Sequence, residues 1–370
     1  MHRRDFIAGA AAASATPAFG SQGLGGAATE VIQNKIHLVE ARLQGAPVRA
    51  IVDTGARVST VSESLAARLG IEATGSRRVN TVHGEMRIRI ARGLILDVPG
   101  LAYRTGRWAI MPDNMQPGLD CVVETGALSD FNLSFSTRTL SYGLKAEHAS
   151  LLRMRRSSIP LADFTADNQT LTMALDTGAD ISWVDPSVAR SLLDQPGAVA
   201  SNFMTVDGPV LRAVRIPRIM SGDAEFRDVL LRVREGDRNL RIQGSRVAGL
   251  LGANVMRFYD WSFSRNYHQV RRGIALPGRT EWIGLGVDFR TDENDPGRIV
   301  ALAIGGPAER AGLSVGDRIL TVDGITADPA GDAAMLEAGV CDCVETVALR
   351  YVRAGAAGTE TVSITTAPMV

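Results

Sequence analysis

Two carboxylate residues sit in identical short motifs far apart in the chain. Asp53 and Asp176 each open the tetrapeptide Asp-Thr-Gly-Ala, and each ends an apolar run typical of a buried strand. Two carboxyls held within about 3 Å of each other cannot both ionise, so they share a proton. One can then accept a proton from water while the other donates to a substrate carbonyl, which is general acid–base hydrolysis. The spacing therefore predicts Asp53 and Asp176 as one catalytic pair.

The residues that follow each Asp suit a supporting role. Gly55 and Gly178 allow a sharp turn and a close approach to the other half of the molecule. Thr54 and Thr177 carry hydroxyls that can hydrogen-bond across the interface and fix the carboxylates. Such orientation matters because small displacements of reacting groups lower rates steeply.

The motif belongs to a longer internal repeat. Aligned at the two Asp residues, 53–69 and 176–192 share nine of 17 positions. Further matches follow in the same order: 81–84 with 205–208, and 121–135 with 249–263. We interpret these matches as two copies of one β-rich lobe. The lobes span 36–144 and 159–272, with a linker at 145–158.

Each lobe is predicted to place a short helix directly after its motif. Ser62 and Asp185 are suitable N-cap residues, each nine positions beyond its Asp, and Pro186 suits the first helical position. The motif thus lies between a buried strand and a capped helix in both lobes.

Over residues 36–272 the sequence resembles the retropepsin type of aspartic peptidase. The resemblance is carried by both Asp-Thr-Gly-Ala motifs and by the apolar-apolar-Gly element Leu250-Leu251-Gly252. It implies a mainly β, two-lobed, pseudo-dimeric barrel fold in a single chain. It also implies Asp53 and Asp176 as the catalytic dyad, a protein or peptide substrate, and no metal or organic cofactor.

The same resemblance implies two hairpin flaps that close over an extended peptide. The flaps would be formed by 81–86 and 205–210, and their substrate-facing residues would be His83, Gly84, Asp207 and Gly208. Asp180 occupies the position at which the resemblance implies contact with the substrate backbone. Its counterpart Arg57 is predicted to favour an acidic substrate side chain.

Lobe 1 departs from the family pattern at one position. Where Gly252 stands in lobe 2, lobe 1 has Glu124. If that Gly has a positive φ, the replacement costs about 1 kcal/mol or more. Two interpretations stay open: local drift of lobe 1, or a pseudo-peptidase that binds peptides without cutting them.

A third domain is predicted over 275–370. The stretch 305–324 resembles bacterial PDZ domains, with a helix from Pro307, a strand over 318–322 and a hairpin turn at Asp323-Gly324. A second helix is predicted over 332–338. The resemblance implies that a C-terminal or extended peptide binds at the loop formed by Ile283, Gly284, Leu285 and Gly286. The alternative is a closed module that only packs against the protease.

Composition and the N-terminus limit the function classes. Lys+Arg and Asp+Glu are both 40, so the formal net charge is zero and nothing favours a nucleic-acid surface. Residues 1–20 resemble a twin-arginine export signal, which implies a periplasmic or secreted protein; an ordinary secretory signal or an uncleaved anchor are the alternatives. Residues 21–35 are predicted to be a linker or a short pro-region. No other segment is apolar for long enough to span a membrane stably.

The combined prediction is an exported, single-chain aspartic endopeptidase with a C-terminal PDZ domain. The alternative from another class is a peptide-binding adaptor without catalysis. A third possibility is a zymogen that removes residues 21–35 from itself.

Overall fold

The computed structural model describes residues 26–32, 35–81, 84–98, 101–104, 106–113, 118–126, 130–135, 137–142, 150–234, 241–242, 245–276, 283–289, 295–326 and 344–368. Three predicted features lie outside these residues: the export signal at 1–20, His83 at the first flap, and the helix over 332–338.

Lobe 1 consists of short strands and one helix, α1 (Glu63–Arg68). Its strands are β1 (Gly26–Ile32), β2 (Lys35–Leu38), β3 (Arg42–Leu43), β4 (Ala46–Pro47), β5 (Ala50–Asp53), β6 (Ser59–Ser62), β7 (Gly75–Thr81), β8 (Gly84–Ala91), β9 (Ile95–Val98), β10 (Leu101–Arg104), β11 (Trp108–Met111), β12 (Cys121–Glu124), β13 (Phe131–Ser134) and β14 (Thr139–Tyr142).

The described part of lobe 2 contains two α-helices, α2 (Pro186–Leu192) and α3 (Ala253–Met256), and one 3-10 helix (Arg265–Tyr267). Its strands are β15 (Ser150–Leu151), β16 (Met154–Arg155), β17 (Leu161–Ala166), β18 (Gln169–Leu175), β19 (Trp183–Val184), β20 (Val199–Thr205), β21 (Gly208–Ser221), β22 (Ala224–Val233), β23 (Arg241–Ile242), β24 (Ser245–Arg246), β25 (Gly249–Leu251), β26 (Tyr259–Phe263) and β27 (Val270–Ala275).

Within the described residues, the C-terminal domain contains one short helix, α4 (Pro307–Arg310). Its strands are β28 (Ile283–Gly284), β29 (Val287–Phe289), β30 (Ile299–Ala303), β31 (Arg318–Val322), β32 (Ile325–Thr326), β33 (Thr346–Val352), β34 (Thr359–Thr365) and β35 (Ala367–Pro368). The strand predicted over 318–322 is β31, and the predicted hairpin turn joins it to β32 with positive φ at Asp323 and Gly324. The mainly β fold predicted from the sequence is confirmed.

The two lobes share one strand order. Lobe 1 runs β5-β12-β6-β11-β8-β7, and lobe 2 runs β18-β25-β19-β22-β21-β20. Strand directions agree as well: β12 is parallel to β5 and antiparallel to β6, and β25 is parallel to β18 and antiparallel to β19. The sequence repeat therefore corresponds to a repeated fold, as expected for two copies of one unit.

Six strands at one end of a 13-stranded sheet, in the order β15-β27-β26-β13-β14-β1, join the lobes. At its centre β13 pairs with β26, and the rings of Phe131 and Phe263 stack with centroids 4.9 Å apart. Trp261 and Phe263 are both 1% exposed and anchor this sheet to the core that both lobes share. The lobes are thus held together by backbone pairing as well as by apolar packing.

The outer strands of this group, β1 and β15, lie in segments that the sequence predicted to be linkers. Part of the segment 21–35, predicted as a linker or pro-region, is β1, which pairs with β14 and β2 and buries Ala27 and Thr29. Likewise the predicted linker 145–158 contains β15, which pairs with β27. The two strands occupy equivalent ends of this group, because each is the first strand of its lobe. Residues 26–32 therefore form a paired strand rather than an unstructured linker, and their removal as a pro-region stays a prediction.

Both motif helices begin where the sequence predicts, but their caps differ. The Ser62 hydroxyl accepts a hydrogen bond from the Leu65 amide at 3.2 Å, as an N-cap residue should. Asp185 lies at the N-cap of α2 but makes no side-chain cap hydrogen bond there. Its carboxylate instead accepts a hydrogen bond from Arg234 Nη2 at 2.8 Å. Pro186 is the first residue of α2, as predicted.

The described residues offer neither a membrane-spanning helix nor a metal-binding cluster. Among them, no helix combines the length and the apolar character needed to cross a membrane. The same part of the chain contains no cluster of three His, Cys or acidic residues that could hold a metal ion.

Candidate active site

The two motif aspartates lie side by side at the lobe interface. Asp53 ends β5 and Asp176 directly follows β18, and their carboxyl groups are hydrogen-bonded to each other. One oxygen of Asp53 accepts hydrogen bonds from the amides of Gly55 at 2.7 Å and Ala56 at 2.9 Å. The corresponding oxygen of Asp176 accepts hydrogen bonds from the amides of Gly178 at 2.9 Å and Ala179 at 3.1 Å. The fold therefore brings the predicted pair together and orients both members identically.

Each motif glycine lies against the aspartate of the other lobe. A Cβ added to Gly55 would lie 2.5 Å from the Asp176 carboxyl carbon, and one added to Gly178 would lie 2.4 Å from that of Asp53. Real Cβ atoms do not approach other heavy atoms so closely. Close approach, rather than an unusual φ, is the reason that both positions require glycine.

The motif threonines form a reciprocal hydrogen-bond network under the dyad. Thr54 Oγ1 donates to the Leu175 carbonyl at 2.7 Å and accepts from the Thr177 amide at 3.1 Å. Thr177 Oγ1 donates to the Val52 carbonyl at 2.6 Å and accepts from the Thr54 amide at 3.1 Å. Both residues are fully buried. This network ties the strand before each aspartate to the opposite lobe, as predicted from the sequence.

The surroundings of Asp53 and Asp176 favour a state in which the two carboxyls hold one proton between them. Both aspartates are half-buried as whole residues, although protein atoms densely surround the Asp176 carboxyl. Burial raises the pKa of Asp176 well above its ordinary value of 3.8, and the charge and hydrogen bond of Asp53 raise it further. The Gly178 and Ala179 amides lower it by a smaller amount. These directions match a carboxyl that keeps a proton beside an ionised neighbour.

Both predicted flaps are antiparallel hairpins. The lobe 1 flap is formed by β7 and β8, in which Gly84 pairs with Thr81; His83 lies outside the described residues. The lobe 2 flap is formed by β20 and β21. Its tip is tightened by Thr205, whose hydroxyl donates to the Gly208 carbonyl at 2.8 Å and accepts from the Asp207 amide at 3.2 Å. At this tip Val206 is 82% exposed, so an apolar side chain is available for contact.

The two residues that follow the motifs differ in exposure. Arg57 is exposed, whereas Asp180 is half-buried and its carbonyl accepts a hydrogen bond from the Asn254 amide at 3.0 Å. The position of Asp180 is thus fixed by the first turn of α3. Contact of either residue with substrate stays a prediction.

Glu124 fits into lobe 1 without displacing the backbone behind the dyad. Gly252 has φ −94°, so the positive φ considered from the sequence is wrong. A Cβ there would lie 2.8 Å from the Ala179 carbonyl oxygen, so packing is what excludes a side chain. The Glu124 amide bonds Ser59 Oγ at 3.2 Å, as the Gly252 amide bonds Ser182 Oγ at 2.9 Å. Glu124 Oε2 accepts from the Gly126 amide at 3.1 Å, so its side chain folds back onto its own loop.

Sequence reasoning missed two residues that support the site. Tyr267, 2% exposed with φ 55°, bonds the Thr125 hydroxyl at 2.8 Å. Burial raises the pKa of Tyr267, and the charges of Glu124 and Asp53 raise it further. Asn254 accepts hydrogen bonds from the amide and hydroxyl of Ser182, both at 2.7 Å. The repeat keeps a serine at positions 59 and 182, and this match could have indicated that the serine and its partner Asn254 matter for the site. No sequence pattern indicated Tyr267.

The predicted peptide-binding loop of the C-terminal domain is compact. Gly286 has φ 74°, and the Leu285 and Gly286 carbonyls accept hydrogen bonds from the Ala308 and Ala303 amides at 2.9 Å and 2.8 Å. The loop thus lies between β28 and β29, braced by α4 and β30. Its four residues are all buried: Ile283, Gly284, Leu285 and Gly286.

Replacement of Thr177 by Val should destabilise the protein. Valine keeps the shape but leaves the Val52 carbonyl and the Thr54 amide without partners in a buried site. We expect the free energy of unfolding to fall by about 1–3 kcal/mol for each of these two groups. Chemical denaturation would measure the change. Thr177→Ser, which keeps the hydroxyl, is the matched control; equal losses in both variants would show that the network contributes nothing.

Replacement of Asp176 by Asn should change how stability depends on pH. Because folding raises the pKa of Asp176, its contribution to stability is fully present below 3.8 and is lost as pH rises through the folded value. Asn removes this loss, so the variant should gain stability relative to the parent as pH rises, by about 1.4 kcal/mol per pKa unit. Denaturation curves over the pH range would test this. A constant difference between the two proteins at all pH values would contradict it.

Comparison with known families agrees with this geometry. The chain matches the family model described as aspartyl protease over residues 39–126 and 162–255, which are the two lobes. It matches the model described as PDZ domain over residues 298–342. The search of curated proteins found no match. With both motifs, the repeated strand order and the paired aspartates, the chain contains a domain of the aspartyl protease family, built from two lobes in one polypeptide and followed by a PDZ domain.

Proposed function

We propose that this protein is an aspartic endopeptidase that hydrolyses peptide bonds between its two lobes. The observation that carries the proposal is the hydrogen-bonded contact between Asp53 and Asp176, each fixed by two backbone amides and packed against the motif glycine of the other lobe. A raised pKa caused by burial and by a like charge is the electrostatic condition that such chemistry requires.

The proposed mechanism uses water as the nucleophile and needs no covalent intermediate. The ionised carboxyl of the pair accepts a proton from a water molecule as it attacks the carbonyl carbon of the peptide bond. The protonated carboxyl donates its proton to the carbonyl oxygen, and the resulting diol collapses with proton transfer to the leaving nitrogen. Because the two groups titrate together, the roles belong to the pair rather than to one named residue.

The hairpin flaps supply the proposed substrate contacts. Substrate would lie extended between the dyad and the tips of the flaps, where Asp207, Gly208 and the exposed Val206 stand in lobe 2 and Gly84 in lobe 1. Extended peptide bound under two hairpins is held mainly by backbone hydrogen bonds. His83 and Asp180 are proposed as further contacts.

We also propose a place and a second ligand for the protein. The resemblance of residues 1–20 to an export signal supports a periplasmic or secreted location. The loop Ile283-Gly284-Leu285-Gly286, followed by the terminal strand β29, supports binding of a C-terminal or extended peptide to the PDZ domain. Such binding would bring protein substrates to the lobes.

A non-catalytic adaptor is the alternative function, and Glu124 is the residue that suggested it. Its backbone nevertheless keeps the hydrogen bond to Ser59 that corresponds to the bond between Gly252 and Ser182. Both motifs are intact and both carboxyls are oriented alike. These observations favour the enzyme over the adaptor.

Peptide hydrolysis should depend on both aspartates. We expect the full chain to cleave a mixed peptide library, and Asp53→Asn and Asp176→Asn each to lower the rate by a factor of about 10² to 10⁴ or more. Activity should fall as pH rises through the raised pKa of the pair, because the shared proton is then lost. Mass spectrometry of the products from about pH 4 to about pH 8 would measure both effects.

Two results would decide against the proposal. Absence of cleavage at every pH, with retained binding of the same peptides, would establish the adaptor. Full activity in either Asn variant would exclude the pair as the catalytic centre. Thr177→Ser serves as a folded control with an intact dyad.

Arg57 should bias the cleavage sites towards acidic side chains. Its guanidinium is exposed beside the Asp53 motif, so a substrate carboxylate nearby would gain a charge-assisted hydrogen bond. We expect Arg57→Ala to lower cleavage of peptides with Asp or Glu near the cut by about tenfold relative to neutral peptides, consistent with about 1.4 kcal/mol. Arg68→Ala, another exposed arginine of lobe 1, is the control. An unchanged site profile in Arg57→Ala would refute the assignment.

A further inference from the structure

The PDZ domain continues the β-sheet of the lobe 2 flap. Flap strand β20 pairs with PDZ strand β30, at Phe203 with Ala303, Met204 with Leu302 and Thr205 with Ala301. Strand β30 pairs in turn with β29, so the order is β21-β20-β30-β29. In lobe 1 the equivalent sheet ends at β7 within the described residues. The PDZ domain therefore pairs with the outer edge of the lobe 2 flap. Among the described residues, no strand pairs with the equivalent edge of the lobe 1 flap.

An apolar cluster seals this junction. Phe203 and Ala213 of the flap and Leu230 of β22 pack against Ala301 and Ala303 of the PDZ domain, and each is at most 2% exposed. Alanines on β30 let the large ring of Phe203 approach the backbone of the adjoining strand. Burial of this extent makes the contact part of the folded core rather than an occasional encounter.

One carboxylate crosses from the PDZ domain to the flap. Asp288 on β29 is opposite Ala301, which is opposite the flap-tip residue Thr205. Its Oδ2 lies 3.0 Å from Arg212 Nε on the flap, and its Oδ1 lies 3.8 Å from Arg232 Nη2 on β22. The side chains of Asp288 and Arg212 are only 21% and 14% exposed. Because this charge pair is largely shielded from water, removing one partner destabilises the structure by leaving the other charge without its partner.

A β-bulge between strands β20 and β21 of the lobe 2 flap lies at this contact. The β20–β21 register shifts between Ser201 and Asn202, because Ser201 pairs with Ala213 and Asn202 with Leu211. Arg212 is the extra residue of this β-bulge. Bulges redirect a side chain, and here the bulged residue is the one that reaches Asp288.

We propose that Asp288 of the PDZ domain is a positioning residue for the peptidase: through Arg212 and Arg232 it holds the lobe 2 flap in place over the dyad. The flap and the PDZ edge strand β29 then form one mechanical unit. Arg232 extends the connection to the site, because its amide donates to the Ser182 carbonyl at 2.8 Å, six residues after Asp176. The catalytic part of this inference rests on the proposed function, whereas the structural part does not.

The experiment replaces Asp288 and measures flap order and kinetics separately. In Asp288→Asn, amide hydrogen exchange at residues 203–205 should accelerate about tenfold, since the flap loses its charged anchor. In the same variant kcat/KM for a peptide substrate should fall about tenfold, mainly through a higher KM, because a loose flap binds substrate less well before the chemical step. Asp288→Glu, which keeps the charge, should restore most of both values.

The control is a second PDZ carboxylate that also pairs with an arginine. Glu360 bonds Arg353 at 2.7 Å within the PDZ domain. Glu360→Gln should leave flap exchange and kcat/KM unchanged. Unchanged exchange at 203–205 in Asp288→Asn would overturn the inference, as would faster exchange with unchanged KM in an active enzyme. If the parent chain cleaves nothing, the proposed function fails, and the exchange measurement still decides whether Asp288 holds the flap.

Discussion

The mutual packing of two aspartates and two glycines is the constraint on which the rest of the structure depends. Each carboxyl occupies space that only a glycine in the other lobe leaves open. Neither lobe can complete its half of the site alone, so the lobes must meet within a few tenths of an ångström. The threonine network, the six strands that join the lobes and the common core all serve this precision. Ionising both carboxyls at this distance would place two like charges side by side, so the pair keeps one proton and the surrounding structure must hold both groups in register.

The sequence predicted the repeated motifs and the PDZ domain but failed where structure depends on contacts with distant parts of the chain. Two Asp-Thr-Gly-Ala motifs at the ends of apolar strands were enough to predict the lobes, the dyad, the threonine contacts and the start of each helix. Strands β1 and β15 were mistaken for linkers because short edge strands owe their structure to distant partners rather than to local propensity. The need for glycine at Gly252 was misjudged. It arises because another stretch of backbone approaches closely, and a local sequence pattern cannot indicate such an approach. Tyr267 was missed for the same reason, since it reaches Thr125 across 142 positions of the chain.

The two lobes share a fold but differ in their surroundings. In the part of the chain that the structure describes, the lobe 1 flap ends its sheet at β7, whereas the lobe 2 flap continues into β30 and β29 of the PDZ domain. Near the dyad, lobe 1 carries Glu124 and faces Tyr267, while lobe 2 has Gly252 and the buried Asn254. A dimer of identical chains could not carry these differences. Joining both lobes in one polypeptide allows each to be adapted separately, as the placement of the PDZ domain on one flap only illustrates.

The pairing of β13 with β26 also bears on how the chain matures. These strands meet with their residues about 130 positions apart in sequence, as shown by Leu133 opposite Trp261 and Phe131 stacked on Phe263. Contacts between such distant segments form late, because a long loop must close before they contribute any stability. A nascent chain that ends before β26 lacks the strand pairing that joins the two lobes. We therefore expect the two aspartates to come together late, once the chain has been made as far as β26.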